Sequence, residues 1–361
     1  MNREHHLSKN IKMKYYLLTI ILISILTNAF SQGNSIDSVI KVTKIKYPET
    51  GIVVGVFKNG KNSYYESGNR YKNGKAKLDS LTIFEIGSAT KTFTGLLLAK
   101  EIAKGHFSKD DFLDLYLPDS VLLACNLQKR IKLTDLVSHQ SGLPNLSSDK
   151  YLAELLTRDS KNPYRFVTEK YLYSILKHTD TLASYRTYQY NNYAFSLMGL
   201  IIEKRNHRDY ELLVEDEILK PFNMSYTTFQ IASNKQNRAG LYDQRGKVQD
   251  DIILNHVNPA GGLRSNAVDL LKYLKAHLQA SEIREAVELT QLTYYHDLNK
   301  RIGLGWEITE EYFQKDGDTF GNSTLIRYSP KHDIAIVVLS NHQNGQLVRD
   351  IMDRVYDNLI K

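Results

Sequence analysis

Ser88-Ala89-Thr90-Lys91 sets a hydroxyl and an amine three residues apart, and positions i and i+3 share one face of a helix. The apolar run that follows (Phe93, Leu96, Leu97, Leu98, Ala99, Ile102, Ala103) predicts a buried helix from Ser88 to Lys104, stopped by Gly105. A serine at such a start faces unpaired N–H groups and positive potential, which stabilise negative charge developing beside it. A lysine in apolar surroundings loses its proton more readily, because desolvation penalises the ammonium, and the neutral amine can accept the proton of a serine nucleophile. Spacing alone singles out nothing, since S-x-x-K also starts at Ser38, Ser147 and Ser174. Context does: only Ser88 follows a predicted hairpin, opens a buried helix and has the remaining polar groups downstream in a workable order.

Tyr190-Asn191-Asn192 opens a second apolar helix, predicted over Asn192 to Glu203. A phenol close to a lysine is expected to lose its proton more readily and act as general base, while Asn192 offers a two-sided amide to a substrate amide or ester. Lys315-Asp316-Gly317 closes a predicted strand. There a cation can be presented to a substrate, and Gly317 lets another backbone approach closely. Y-x-N recurs at Tyr71 and Tyr356, and K-x-G at Lys58 and Lys72, in loop, helix and turn contexts with no nucleophile positioned to use them.

The elements that must position these groups fall into a simple order. Gly51 to Gly68 alternates around Asn59-Gly60, a strong hairpin signal, and predicts two antiparallel strands. From about His106 to Arg264 helical patterns dominate, including Tyr210 to Leu219, ended by Pro221. Beyond Gly303 the period returns to two, predicting strands over Leu304–Ile308, Tyr312–Lys315, Thr324–Tyr328 and Ile334–Leu339. Leu347, Ile351, Val355 and Leu359 line one face of a final helix from Gln346 to Ile360. The fold class is therefore α/β (α+β): one antiparallel sheet built from both chain ends, flanked by helices, with an inserted, mostly helical lobe. The sheet lobe is expected over about 35–105 and 265–361, and the helical lobe over about 106–264.

Arg3, Lys9, Lys12 and Lys14 precede an apolar run from Tyr15 to Leu26 and small residues near Ala29 and Ser31, the order of a cleaved secretory signal over residues 1–31. The run is shorter than the roughly 20 residues of a spanning helix, so no stable membrane span is expected after cleavage. Met13 stands directly before Lys14, so the residues ahead of it read as an upstream extension of the frame, and no Cys follows the run to carry a lipid. The expectation is an exported protein, periplasmic or secreted, with residues 32–361 forming one domain. Loss of four cations and Glu4 takes the formal charge from +7 to +4, which with its scattered signs is no nucleic-acid footprint. A single cysteine, Cys125, excludes an internal disulfide or a multi-Cys metal site, and its apolar neighbours (Val121, Leu122, Leu123, Ala124) predict a buried, inert thiol.

Taken together, the motifs resemble the serine beta-lactamase and penicillin-binding-protein superfamily, with the class C branch and its related D-Ala carboxypeptidases and esterases the most similar. The likeness runs from about Gly51 to Asn341. Its segments are Phe84-Glu85-Ile86-Gly87-Ser88, Ser138-His139-Gln140-Ser141-Gly142-Leu143-Pro144, Pro221-Phe222-Asn223-Met224, Ala260-Gly261-Gly262-Leu263, Gly303-Leu304-Gly305-Trp306 and Val338-Leu339-Ser340-Asn341. The resemblance implies a beta-lactamase/transpeptidase-like fold and an acyl-enzyme on Ser88. Lys91 and Tyr190 would be the proton-transfer pair, with Asn192, Lys315 and Gly317 at the substrate and the backbone N–H groups of Ser88 and Asp318 as oxyanion hole. It implies a small-molecule or peptide substrate and no metal or organic cofactor. A penicillin-binding sensor or a non-catalytic binding protein on the same fold is the alternative.

One departure bears on substrate choice. Where the family carries Thr or Ser between Lys and Gly, this chain has Asp316, and a carboxylate there is expected to repel the carboxylate of a penicillin or a C-terminal D-alanine. Ester cleavage is accordingly expected to exceed nitrocefin cleavage. His139 is expected to serve its turn structurally, His256 to lie at the surface or behind the site, and Trp306 to pack in the core. H-E-x-x-H, P-loop and G-x-S-x-G patterns are absent from the sequence.

Overall fold

The computed structural model describes residues 35–125, 131–146, 149–182, 184–231, 237–279 and 282–361. The expected leader and Ser147 lie outside these residues. Asn59 and Gly60 both take positive φ, 52° and 75°, the pattern of a two-residue turn that matches the twist of its strands. It joins β1 (Ile52–Lys58) to β2 (Lys61–Ser67) in the register Lys58↔Lys61. A two-stranded ribbon, β3 (Phe84–Glu85) with β4 (Arg264–Ser265), stands apart from the main sheet and leads directly into Ser88. The remaining strands are β5 (Tyr295–His296), β6 (Arg301–Ile302), β7 (Glu307–Ile308), β8 (Phe313–Asp318), β9 (Ser323–Ser329) and β10 (Ile334–Ser340).

The main sheet is antiparallel throughout in the order β2-β1-β10-β9-β8-β7-β6-β5. Its first strands thus pair with its last. Every residue of β9 and β10 is buried because both faces are covered. Val53, Phe57, Val337 and Leu339 join the core shared with the helix Ala267–Leu278, while Ile52, Val54, Ile336 and Val338 pack with Leu347, Ile351 and Val355 of the C-terminal helix Gly345–Ile360. Each such aliphatic side chain stabilises the fold by at most about 1.5–3 kcal/mol.

The central helix, Thr90–Ala103, is buried from Thr90 to Ala99, as its all-round apolar sequence predicts. Its buried hydroxyls are paired: Thr92 donates to the Ala89 carbonyl at 2.8 Å and Thr94 to that of Pro259 at 2.6 Å. Ser88 itself lies in a 3-10 turn, Gly87–Ala89, immediately before that helix. The second apolar helix runs Asn192–Asn206, with Asn191 as N-cap accepting from the Ala194 N–H at 2.9 Å.

Several expectations need correction. β7 is only Glu307–Ile308, because Gly303 to Gly305 turn across the central helix instead of extending. β8 continues through Asp318, so Lys315 sits within the strand and not at its end. The helix at Tyr210 is α-helical to Val214 and then widens to a π turn, Glu215–Leu219. Cys125 is partly exposed and Leu123 is 88% exposed, since the short helix Asp119–Leu122 buries Val121 fully and Leu122 only in part. The helices Ile36–Lys46, Ala267–Leu278 and Arg284–Gln291 and the two-residue strands β5 and β6 had no sequence assignment. Trp306 is fully buried, its ring 5.0 Å from that of Tyr328 and 5.4 Å from that of His277.

Candidate active site

Three distant stretches meet at Ser88. The Ser88 hydroxyl is hydrogen-bonded to that of Tyr190, and the Lys91 Nζ stands 3.0 Å from Ser88 Oγ. Lys91 Nζ also reaches Asn192 Oδ1 at 2.8 Å and the Ala260 carbonyl at 2.6 Å. Lys91 is wholly buried, whereas Ser88 and Tyr190 are partly exposed as residues. Burial, followed by the charge of Lys315, holds the Lys91 pKa well below its usual 10.5. The expected lowering of the lysine pKa thus has its physical cause.

Tyr190 behaves otherwise than its sequence context suggests. Burial raises its pKa above the usual 10.0, and the opposing pull of Lys315 and of the Ser88 hydrogen bond does not overcome it. The resting phenol therefore holds its proton more firmly than a free tyrosine does. Lys91 Nζ lies 4.8 Å and Lys315 Nζ 5.3 Å from the centre of the Tyr190 ring.

Tyr190 and Asn192 are held by the loop after the helix Leu133–Val137. Asn145 bridges them: its Nδ2 donates to the Tyr190 carbonyl at 2.8 Å, and its Oδ1 accepts the Asn192 N–H at 3.1 Å. Asn191 Nδ2 donates to the Leu143 carbonyl at 2.7 Å, and the Asn191 N–H donates to His139 Nδ1 at 3.1 Å. His139, at φ 63°, packs its ring 4.5 Å from that of Tyr190. Burial, then the nearby charges of Lys91, Lys315 and Lys300, hold its pKa well below 6.5, which keeps Nδ1 an acceptor. Its role is the structural one expected. His256 sits with Thr168, Tyr210 and Pro259 around a cleft of about 490 Å³ that Ser88 does not line.

Strand β8 closes the site. A Cβ on Gly317 would lie 2.8 Å from Ser88 N and 2.7 Å from Ala89 N, so only glycine allows the strand against the nucleophile turn. Gly87, at φ 50°, abuts the backbone of Asp318 in the same way, with a notional Cβ 2.9 Å from Asp318 N. The main chains of Ser88 and Asp318 are thereby neighbours. Lys315 is buried, and its Nζ pairs with Asp316 Oδ1 at 2.8 Å, while Arg349 Nη2 of the C-terminal helix takes Asp316 Oδ2 at 2.9 Å. Burial opposes the Lys315 ammonium, but Asp316, Tyr190 and Glu307 outweigh it and raise its pKa. Asp316 is held well below the carboxylate range, by Lys315 first and by Arg349 against the effect of burial.

The other two S-x-x-K matches within the described residues, at Ser38 and Ser174, lie inside the surface helices Ile36–Lys46 and Glu169–Lys177. The sequence had given no role to Ala260, Asn145 or Arg349. Ala260 and Asn145 fall in or beside stretches already noted, Ala260–Leu263 and Ser138–Pro144, and that adjacency was the available signal. Arg349 lies on the polar face of an amphipathic helix and carried none.

This chain belongs to the beta-lactamase family, whose profile matches residues 36–358. Among characterised relatives it is 27% identical over 290 residues to a beta-lactamase of Psychrobacter immobilis, covering 76% of this chain and 65% of that protein, so the chain spans just under two thirds of that relative. It is 23% identical over 370 residues to a beta-lactamase of Providencia stuartii, covering 91% of each, and 26% identical over 351 residues to Protein flp of Staphylococcus aureus, covering 93% of this chain and 68% of that protein. The fold is that of a class C beta-lactamase from Rhodobacter sphaeroides (TM-score 0.78, 22% identity, 91% and 98% of the two chains) and of a beta-lactamase/D-alanine carboxypeptidase from Pseudomonas syringae (TM-score 0.77, 19% identity, 89% and 98%).

Proposed function

We propose that the protein is a serine hydrolase that cleaves an ester or amide through an acyl-enzyme on Ser88. The observation that carries this reading is the hydrogen-bond inventory of Lys91. A neutral amine has two N–H bonds and one lone pair. With the two N–H bonds given to Asn192 Oδ1 and the Ala260 carbonyl, the lone pair is left for the Ser88 hydroxyl at 3.0 Å.

The steps follow from that arrangement. Lys91 takes the Ser88 proton as Oγ bonds to the acyl carbon, and the carbonyl π electrons move to its oxygen, where the N–H groups of Ser88 and Asp318 receive them. Collapse expels the leaving alcohol or amine, which takes a proton from the Tyr190 hydroxyl, and Lys91 returns one to Tyr190. Water then repeats the sequence on the acyl-enzyme, with Lys91 again accepting the proton and Ser88 leaving. Asn192, its oxygen engaged by Lys91, turns its NH2 to the substrate.

A fluorophosphonate probe is expected to label the wild-type protein and not Ser88→Ala. Unlabelled wild-type protein, folded by its thermal transition, would falsify the reading. A stoichiometric burst without steady turnover of p-nitrophenyl esters would instead mark a sensor on the same fold. We also propose export, on the strength of the basic start and the apolar run Tyr15–Leu26. Mass measurement of the protein recovered from the periplasm or medium, shortened near Ser31, is the expected result.

A further inference from the structure

We propose that Asp316 is a resident carboxylate that fills the site's own anion-binding position, restricting Ser88 to esters and amides with no acidic group next to the scissile bond. This rests on the hydrolase reading and names its substrate class. The two cations at this end of the site, Lys315 and Arg349, come from different elements, β8 and the C-terminal helix, and they converge on one carboxyl group, each taking a different oxygen at 2.8 and 2.9 Å. Such a fork is how two cations bind a carboxylate ligand. Here the ligand is part of the chain.

The placement ties the fork to the chemistry. Lys315 Nζ lies 5.3 Å from the Tyr190 ring, whose hydroxyl bonds the nucleophile, and Gly317, two residues on, packs against Ser88 N. The fork therefore lies beside the nucleophile, where a substrate held at Ser88 meets it. Asp316 is not a bare repulsive charge, as the sequence suggested, but a counter-ion that leaves neither cation free. Asp318, two residues along the strand, accepts from the Ser323 hydroxyl. An incoming carboxylate would have to displace Asp316 from two partners at once. With its pKa held low by Lys315 and Arg349, Asp316 stays ionised at neutral pH, so the restriction is independent of pH there.

Removing the resident group should uncover a latent acid site. Matched probes are 3-carboxyphenyl acetate and its methyl ester, 3-(methoxycarbonyl)phenyl acetate, which differ in charge and by one methyl group, with their alkaline hydrolysis rates as the correction for leaving-group ability. The wild-type protein is expected to favour the neutral ester in kcat/KM by at least about 10-fold, and Asp316→Asn and Asp316→Thr to lower that preference by about 10-fold or reverse it. Arg349→Gln, which leaves Asp316 with one partner, is expected to strengthen it and serves if the Asp316 variants do not fold. A preference unchanged within twofold in every folded variant would overturn the proposal. Should Ser88 prove unreactive, equilibrium binding of 3-hydroxybenzoate still decides the point: binding by Asp316→Thr and not by wild type supports the resident carboxylate, and equal affinity refutes it.

Discussion

Lys91 is the residue on which proton movement turns, and its burial fixes the sign of two pH effects. The folded pKa lies well below the 10.5 of the free side chain, so at pH values between the two the unfolded chain binds the extra proton and stability rises with pH. In chemical denaturation from pH 6 to 10, the stability of wild type relative to Lys91→Met is expected to climb, whatever its starting value. Activity has its own acid limb: as pH falls through the lowered pKa the lone pair is lost, and kcat/KM falls with it. Lys91→Met should lower kcat/KM by about 10²–10⁴-fold, the worth of a positioned general base, and a smaller loss would move the proton-accepting role elsewhere. The spacing of Ser88 and Lys91 was legible in the sequence because i and i+3 on one helix face is a local relation. The state of Tyr190 was not, because its pKa is set by the balance between burial and the charge of Lys315, which is remote in sequence.

Among the elements, the loop carrying His139 and Asn145 does for Tyr190 and Asn192 what the central helix does for Ser88. Asn145 satisfies one backbone carbonyl and one backbone N–H with a single side chain. Asn145→Ala leaves both without that partner and is expected to cost about 1–3 kcal/mol of stability, with kcat/KM down about 10–100-fold as Tyr190 drifts from Ser88. Fluorophosphonate labelling of the variant should slow in proportion; an unchanged labelling rate would show that the loop supports the fold only. Long periodic elements such as the central helix and β10 were read from their pattern alone. β5, β6 and β7 were missed or overdrawn because two residues carry no period, and their pairing comes from neighbours in the sheet. The partial exposure of Cys125 escaped for a related reason: apolar composition does not say which side of a one-turn helix faces the core.

At the scale of the whole molecule, Arg264 joins what the sequence shows only as separate lobes. Its guanidinium reaches Glu85 on β3 at 3.1 Å and the carbonyls of Phe229, Gly262 and Ile252 at 3.0, 3.2 and 2.8 Å, all but buried at 3% exposure. Burial raises the Glu85 pKa and lowers that of Arg264, so the pair is costly to desolvate, and only the two terminal nitrogens of the guanidinium are engaged while Nε is buried without a hydrogen bond. Arg264→Leu strands the Glu85 carboxylate and is expected to destabilise by about 3–5 kcal/mol, read as a lowered thermal midpoint. Glu85→Gln together with Arg264→Leu should recover part of that loss, and a double variant no better than the single would show that the carbonyl contacts matter more than the charge. β1 has its own distant dependence. It lies between β2 and β10, and Gly51 N–H closes its end on Asn341 Oδ1 at 2.7 Å, 290 positions along the chain. During synthesis the hairpin β1–β2 therefore emerges early with one edge open, and nothing made before Ile334 can seal it. The native pairing on both sides of β1 can be completed only when almost the whole chain has been made.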